Sequence, residues 1–496
     1  MEYFVNCNAA TLSPYTTPLD RDKAEHLYRR LGFSASVQTI NAAIGQTAGT
    51  LVDALITEAI NLPETPAPTW FDWNEDDYPE DNQQRNQIIG EQRREWRLAY
   101  ANDMLSGNLR DRLSFFWSNH FVTELEVYRC NSFLYYYINC LQRNAIGNFK
   151  TFVSEIGLTS AMLYYLDGVF NNGNNPNENY ARELYELFTL GEGNNYTEED
   201  IIETAKALSG YVERTEIGCS PVTFNPERHD DGPKSIFGQT GNWGYDDTID
   251  ILFQQRPNDI SWFICKKLYE FFVHPDSDDV ENNGTAKQVI DELAATFRAN
   301  NFDIAPVLSQ LFKSEHFFDD EAIGVIIKSP FDVFMNIVKE TNFTVDDNIV
   351  NTIINSSRLS GQEIFDPPGV EGWYRDRDWI NTNFMISRWL SSEMLLGLFW
   401  GNNPEQFRTF AIEATGPTGN TTSDPDEITR AILNKLFPKG IAPDQLQNAY
   451  DVFRDDALVQ YYAEGDGSWN LMWDGADFQV YQLLLFAIRQ PEFQLK

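Results

Sequence analysis

The chain has 496 residues, of which 74 are acidic and 37 are basic, so its formal net charge at pH 7 is −37. This excess of negative charge argues against a protein that coats nucleic acid phosphates or an anionic membrane. With 42% hydrophobic and 14% aromatic residues, the composition is typical of a folded chain and excludes a disordered one.

Helical periodicity dominates the chain, because apolar residues recur three and four positions apart along most of it. In the first half this pattern predicts helices over 21–31, 53–61, 83–106, 109–122, 131–144, 148–156, 177–190 and 198–209. In the second half it predicts helices over 259–272, 286–299, 304–313, 322–341, 381–399, 425–437, 443–453 and 477–489. The best strand signals, 211–214 and 222–224, are short. The predicted fold class is therefore all-α: a large irregular multi-helix domain with long loops and at most a few short strands.

A stretch rich in Gly, Thr, Pro and Asp, 415–426, is the best candidate for a domain boundary. Near its end, Asp424 and Pro425 form a helix cap followed by a first-turn proline. We therefore expect a main helical domain over 1–414 and a C-terminal helical subdomain over 415–496, packed on the first.

Neither end of the chain nor any apolar run carries a targeting or membrane signal. The first residues lack a basic segment followed by an apolar one, so no secretory signal is recognised and the compartment stays open. The longest apolar run, 483–488, is too short to cross a membrane, so no membrane span is expected.

The five cysteines are odd in number, scattered and never in a CxxC pair. This spacing favours buried free thiols over a disulfide framework or a zinc site. The cysteines in question are Cys7, Cys130, Cys140, Cys219 and Cys265.

The segment 167–191 has the densest polar pattern. An asparagine-rich loop after Asp167 leads into a helix whose polar face carries Glu178, Arg182 and Glu186 at intervals of four residues. That spacing suits exposed ion pairs that support the helix. The loop suits either a tight turn or a set of hard oxygen ligands for calcium or magnesium, so a structural calcium ion is one hypothesis for it.

Two of the five histidines are candidate functional groups. His120 lies four residues after Phe116 on an apolar helix face, where a hydrogen-bonded core imidazole is the alternative to a metal ligand. His229 lies in a loop whose turn-forming residues exclude a regular helix. Its neighbours Asp230 and Lys234 suit metal binding, or acid–base chemistry beside a cationic stabiliser, although a charged surface loop has the same composition.

A third segment, 365–379, combines paired prolines and glycines with Trp373 and Trp379. The prolines fix an irregular backbone, and the tryptophans either anchor the loop on the core or line a cleft.

Eight segments in this order form a distinctive set. They are HLYRRLGF at 26–33, WSNHF at 117–121, AMLYYLDG at 161–168, PNENYARELYELFTLG at 176–191, YTEEDIIETAKALSGY at 196–211, HDDGPKSIFG at 229–238, PPGVEGW at 367–373 and PEFQLK at 491–496. Together they resemble the bacterial DUF1800 family (domain of unknown function 1800) over nearly the whole chain. The family's usual pattern has a histidine where this chain has Phe188. The resemblance implies export and a sulfatase-like companion protein (DUF1501), but no defined activity.

The first functional hypothesis is a metal-assisted hydrolase with a polar cleft, in which a divalent metal ion lowers the pKa of a bound water. The predicted metal ligands are His120, Asp167 and His229. The predicted catalytic groups are Glu178, Arg182, Glu183, Asp230 and Lys234. They include a glutamate base and cationic side chains that stabilise the oxyanion.

The second hypothesis is a non-catalytic binding or assembly protein that docks a companion protein or a glycan. The same polar residues then form a buried hydrogen-bonded network, and the segment 366–379 is a contact surface. Neither hypothesis involves nucleic acid, and the oligomeric state is left open.

Overall fold

The computed structural model describes residues 11–107, 109–212, 219–275 and 284–496. These residues form 22 α-helices and one two-stranded sheet, so the predicted all-α class is confirmed. The first eleven helices are α1 Arg21–Leu31, α2 Val37–Ala43, α3 Ala48–Asn61, α4 Asn82–Ser106, α5 Leu109–Ser118, α6 Leu125–Tyr128, α7 Asn131–Asn144, α8 Phe149–Gly157, α9 Ser160–Tyr165, α10 Asn179–Glu183 and α11 Glu198–Ala207.

The second half is also helical, with short connections between helices. Its eleven helices are α12 Tyr245–Gln255, α13 Pro257–Phe272, α14 Thr285–Ala299, α15 Ile304–Phe312, α16 Pro330–Thr341, α17 Asp347–Leu359, α18 Thr382–Asn402, α19 Glu405–Thr415, α20 Pro425–Leu436, α21 Pro443–Arg454 and α22 Ala476–Ala487. Short 3₁₀ turns lie at Glu75–Asp77, Gly168–Phe170, Pro226–Arg228, Asp320–Ala322, Asp376–Trp379, Gly416–Thr418, Val459–Tyr461 and Pro491–Gln494.

The only regular strands in the described parts of the chain form a hairpin after the His229 loop. β1 Lys234–Ile236 pairs antiparallel with β2 Gln239–Gly241, and Ser235 lies opposite Thr240. Of the strand predicted at 222–224, only Thr223 forms a β-bridge, and no strand is present. The apolar residues there are too few to bury a strand, and the chain runs irregularly into a 3₁₀ turn. The strand predicted at 211–214 extends beyond the described residues.

Capping side chains fix where many helices begin. At the start of α16, Ser329 accepts a hydrogen bond from the backbone N–H of Asp332, whose carboxylate accepts from the N–H of Ser329. This reciprocal arrangement satisfies two backbone donors, and Pro330 follows as the first helical residue. Because this capping box sets the start, α16 begins at residue 330, eight residues later than the predicted helix 322–341.

The core around α5 is aromatic. Trp117 is fully buried, and its indole N–H donates to the backbone oxygen of Ala145 at 2.8 Å. Its ring packs against Phe121, Phe149 and Phe152. Because α5 contacts α3, α4 and α7, this aromatic core fixes the helix that ends two residues before His120.

The helix predicted over 177–190 changes its geometry halfway. α10 ends at Glu183, and the chain continues as a π-helix over Leu184–Thr189. A π-helical turn is rare and widens the helix. Here the carbonyl groups of Leu187 and Phe188 meet side chains of other helices.

The cysteine prediction is wrong for one pair. Cys130 and Cys219 form a disulfide with a Cα–Cα distance of 5.3 Å. Their separation of 89 residues gives no local spacing signal, so only the fold brings them together. Cys140 and Cys265 are buried free thiols as predicted, and Cys7 lies outside the described residues.

The predicted boundary at 414/415 stays a prediction. Residues after this boundary nevertheless contact residues before it, because Lys435 is within 3.7 Å of Glu25 and Lys496 within 2.5 Å of Asp332. In the described ranges, no helix combines the length and apolar character that crossing a bilayer requires.

Candidate functional site

The predicted ladder on α10 is an ion-pair cluster at the surface. Arg182 donates two hydrogen bonds to the carboxylate of Glu198, at 2.8 and 2.9 Å, and also pairs with Glu178 and Glu186 at 3.5 and 3.4 Å. The hydrogen bonds to Glu198 are the largest cause that raises the pKa of Arg182. Because three carboxylates already engage this guanidinium, its geometry is that of a structural crosslink between α10 and α11.

Glu183 and Asp167 lie beside this cluster in different surroundings. Burial and then the negative charge of Glu186 raise the pKa of Glu183, and the carboxylate of Glu371 acts in the same direction. Asp167 accepts a hydrogen bond from the side-chain amide of Asn179 at 3.2 Å and adopts a left-handed backbone conformation, φ 60°. Asp167 therefore acts as a turn residue at the start of the Asn-rich loop.

The His229 loop is fixed by Ser209. The ring nitrogen Nδ1 of His229 lies 2.9 Å from the backbone oxygen of Ser209, whose hydroxyl accepts from the N–H of Asp230. Lys234 is buried and donates to the backbone oxygen of Asp230. Burial lowers the pKa of the Lys234 amine, and Asp230 opposes that shift. These contacts explain the shape of the loop without a ligand.

The three predicted metal ligands do not form a shared coordination group. His120, Asp167 and His229 each have different hydrogen-bond partners. Among the described residues, no group of three or more His, Cys, Asp or Glu is placed to hold a metal ion. The predicted divalent metal site therefore stays a prediction that the described side chains do not assemble by themselves.

His120 instead forms a pair with a lysine that the sequence analysis missed. Its Nε2 lies 3.0 Å from the backbone oxygen of Phe188, and its Nδ1 lies 3.2 Å from the Nζ of Lys267 on α13. Lys267 also donates to the backbone oxygen of Leu187 at 3.3 Å. Both carbonyl groups belong to the π-helix, so this rare turn is what positions the pair.

The hydrogen-bond partners define the protonation of the pair. A carbonyl oxygen can only accept a hydrogen bond, so Nε2 of His120 carries the proton and donates to the backbone oxygen of Phe188. Nδ1 then has a lone pair and accepts from Lys267. Burial lowers the pKa of His120 well below its ordinary value, and the charge of Lys267 acts in the same direction. His120 is therefore a neutral imidazole near pH 7.

Lys267 has the surroundings of a reactive amine. Burial lowers the pKa of its amine from 10.5 to about 7, the charge of Arg375 lowers it further, and Glu270 opposes this shift. As a neutral amine it has two N–H bonds, which are donated to His120 and Leu187. The remaining tetrahedral position carries the lone pair. A neutral lysine is a competent general base or nucleophile near pH 7.

Lys267 and His120 both line a cavity of about 380 Å³. The segment 365–379 forms one wall, where Trp373 and Trp379 are buried and Arg375 lies within 3.4 Å of Glu270. Both alternatives for this segment therefore apply, because the tryptophans anchor it on the core and also line a cleft. The loop is held at Trp373, whose backbone N–H donates to Asn119 at 2.6 Å.

A sequence signal for Lys267 exists. Ile260, Ile264, Lys267 and Phe271 recur at intervals of four, three and four residues, which places them on one face of α13. A lysine within such an apolar stripe faces the interior and is either paired or of low pKa. The prediction of a helix over 259–272 did not include this feature.

Comparison with known proteins defines the family. The DUF1800 family, described as a protein of unknown function, matches residues 26–495. The chain therefore belongs to the DUF1800 family, as the motifs predict. Searches of the curated proteins and of the solved structures found no match.

Proposed function

We propose that this protein is a hydrolase whose active site is the cavity lined by His120 and Lys267. The observation that supports the proposal is the Lys267 amine, with a pKa of about 7 and both neutral N–H groups already engaged. An amine that is about half unprotonated at pH 7 and that lines a cavity is suited to remove a proton from water.

In the proposed reaction, the lone pair of Lys267 takes a proton from a water molecule in the cavity. The resulting hydroxide attacks the electrophilic atom of the substrate, and the bond to the leaving group breaks. The ammonium form of Lys267 then passes this proton to the leaving group. If a carboxylic acid protonates the leaving group instead, the ammonium passes its proton to the resulting carboxylate, which restores both groups. His120 positions the amine by accepting one of its hydrogen bonds and stays neutral throughout.

Glu183 is the best candidate for the acid among the residues predicted from the sequence. Burial and Glu186 raise its pKa, and it interacts with Glu371, which lines the cavity. A carboxylic acid with a raised pKa and a base with a lowered one are the two kinds of group that acid–base catalysis uses, and Glu371 links Glu183 to the cavity wall. For Glu178, Arg182, Asp230 and Lys234, catalytic roles stay predictions.

The test is a panel of four chromogenic substrates: 4-nitrophenyl acetate, phosphate, sulfate and β-glucoside. We expect the protein to hydrolyse at least one of them, Lys267→Met to lose that activity and Lys266→Met, the neighbouring lysine, to retain it. Absence of turnover with all four substrates, or equal activity of Lys267→Met and the wild type, would overturn the proposal.

The metal-assisted form of the hydrolase is a separate proposal with its own test. It needs His120, Asp167 and His229 to bind one divalent ion, and elemental analysis of the protein purified without added metal decides it. A stoichiometric transition metal that is lost in His229→Ala supports this form, and metal-free active protein contradicts it. Structural calcium in the Asn-rich loop predicts a lower Tm in the presence of a chelator.

The alternative function, docking of a companion protein or a glycan, is favoured by one surface feature. Ile386, Trp389, Leu390 and Met394 are exposed along one face of α18, and a contiguous exposed apolar stripe is typical of a protein interface. Mixing with a sulfatase-like companion protein and size-exclusion chromatography test this alternative. Leu390→Asp should abolish co-elution, while Leu359→Asp, an equally exposed leucine on α17, should not.

A further inference from the structure

Helix α18 has one buried face and one exposed face. The buried face packs on α16, α17 and α22 and includes Arg388 and Leu395. On the opposite face, the side chains of Ile386 and Leu390 are 47% and 61% exposed, and that of Met394 is 48% exposed. These three apolar side chains form a ridge, because residues four apart on an α-helix lie one above the other.

The ridge is followed by two glycines on the same face. Gly397 lies seven residues, nearly two full turns, after Leu390, and Gly401 lies one turn further. Gly401 is exposed, and a Cβ atom added to it would have no neighbour within 4 Å among the described residues. A glycine inside a helix costs about 1 kcal/mol relative to alanine, and the packing of the described chain does not require one at Gly401. The two glycines leave a shallow groove that lets another helix approach closely.

The ridge and the groove have the same spacing. Ile386 and Leu390 are four residues apart, as are Gly397 and Gly401. A second copy of α18 can be laid antiparallel on the first, with Leu390 of one copy opposite Gly397 of the other. The same register places Ile386 opposite Gly401. Each copy supplies both a ridge and a groove, so the contact occurs twice, on either side of a two-fold axis next to Met394. Such self-complementarity is what a two-fold symmetric interface requires.

The charge of the exposed face also favours a second copy. Two chains with a net charge of −37 repel each other, so they can meet only through a face without excess charge. Although 22% of the whole chain is charged, α18 has two charged side chains among its 21 residues. Arg388 is buried, and the carboxylate of Glu393 lies 2.6 Å from the guanidinium of Arg489. The exposed face is therefore close to neutral, and such depletion of charge is typical of the core of a protein interface.

We propose that the exposed face of α18 is the interface of a homodimer. The two α18 helices pack antiparallel, with Ile386 and Leu390 of each copy in the groove at Gly397 and Gly401 of the other. The same face supports the alternative function given above, but a companion protein would not require a ridge and a groove of equal spacing on one helix. The dimer does not rest on the hydrolase proposal, because the described residues that line the cavity do not include any from α18.

The first test is the oligomeric state in solution. In sedimentation equilibrium, the mass of the wild type should rise towards twice that of one chain as the protein concentration increases. Gly401→Leu should stay monomeric over the same range, because the new side chain fills the groove. Leucine is a better helix former than glycine, so this variant should keep its fold.

Gly90→Leu is the matched control. Gly90 is an exposed glycine within α4, and a Cβ atom added to it would also have no neighbour within 4 Å among the described residues. This variant should therefore dimerise as the wild type does. Lys267→Met should dimerise as well, so a failure of the hydrolase proposal leaves this result unchanged.

Single cysteines test the antiparallel register. Met394 lies next to the proposed two-fold axis, so Met394→Cys brings two cysteines of the dimer together, and mild oxidation should link them. The two copies of Leu390 are offset by seven residues, which is roughly 10 Å along the helix axis. This offset exceeds the Cα–Cα distance that a disulfide spans. Leu390→Cys should therefore give no more covalent dimer than the wild type.

Three results would overturn the proposal. The first is a wild type that stays monomeric at every concentration, including one that co-elutes only with the companion protein. The second is a Gly401→Leu variant that dimerises as strongly as Gly90→Leu. The third is a Met394→Cys variant that gives no more covalent dimer than Leu390→Cys.

Discussion

Lys267 and Arg182 are two cations on neighbouring elements with opposite surroundings. Arg182 is partly exposed and contacts three carboxylates, which raises its pKa. Lys267 is likewise partly exposed, but it contacts a neutral imidazole, a carbonyl group and the ring of Phe263, and it has a lowered pKa. The comparison shows that the dense charged motif of α10 serves structure, whereas a single lysine in an apolar stripe has the surroundings of a reacting group.

The largest expected difference between the two cations is in activity. Lys267→Met removes the proposed base, so kcat/KM on the substrate identified in the panel should fall by about 10²–10⁴-fold. Arg182→Gln keeps the cavity intact and should retain kcat/KM within roughly threefold. A fall of equal size in both variants would show that the charged motif of α10, and not Lys267 alone, supports the reaction.

The pH dependence of the wild type gives the second difference. Activity should rise with pH and reach half of its maximum near the Lys267 pKa of about 7, because only the neutral amine accepts a proton. Arg182 does not titrate in this range, so Arg182→Gln should keep the same midpoint. A rate that is independent of pH between 6 and 8 would contradict the role of Lys267.

The same pKa shift affects stability with a definite sign. Between about 7 and the ordinary value of 10.5, the unfolded chain binds a proton at Lys267 that the folded chain does not. This contribution therefore raises the free energy of unfolding as pH increases through that window, and it is lost as pH falls through about 7. Urea denaturation of the wild type and Lys267→Met at several pH values measures this contribution as the difference between their free energies of unfolding. The difference should grow towards low pH, where the variant is the more stable protein.

A smaller effect is expected from the neighbours of Lys267. Arg375→Ala removes a positive charge that lowers the Lys267 pKa, so the midpoint of the pH–rate profile should move upward. Glu270→Gln removes a charge that opposes the shift, and should move the midpoint downward. Movement of both midpoints in the same direction would refute this electrostatic account.

The smallest effect concerns the stability of the α10 cluster. Arg182→Gln breaks ion pairs that are largely open to solvent, so the Tm should change by at most ~1–2 °C. Calorimetry at low and high salt measures this change, which should shrink as salt screens the charges. A much larger loss would show that the ladder is essential to the packing of α10 on α11.

The helices with an uninterrupted apolar stripe were predictable from the sequence. The predicted helix 131–144 is α7 at the same bounds, and 21–31 is α1. Short helices such as α2 and α9 were missed, because one or two turns contain too few apolar residues to define a period. The longer helices α12, α17 and α19, of 11, 13 and 11 residues, were missed as well, although each is long enough to show one. The π-helix at Leu184–Thr189 was also missed, since its apolar pattern is the same as that of an α-helix.

The site was less predictable, because its contacts are distant in sequence. Positions 120 and 267 are separated by 147 residues, and the disulfide joins residues 89 apart. His120 was singled out as a metal ligand or a hydrogen-bonded core imidazole, and the structure gives it hydrogen-bonded partners. The carbonyl groups that orient the His120–Lys267 pair depend on backbone geometry, which residue types alone do not encode.

The pKa of Lys267 is the quantity on which the account depends most directly. Competitive acetylation with acetic anhydride across pH 5–11, followed by mass spectrometry of the peptide that contains Lys267, measures it against the exposed lysines. The account predicts half-maximal reactivity near pH 7 for Lys267. A midpoint near 10.5, or no acetylation of Lys267 at any pH, would contradict a neutral amine that opens to the cavity.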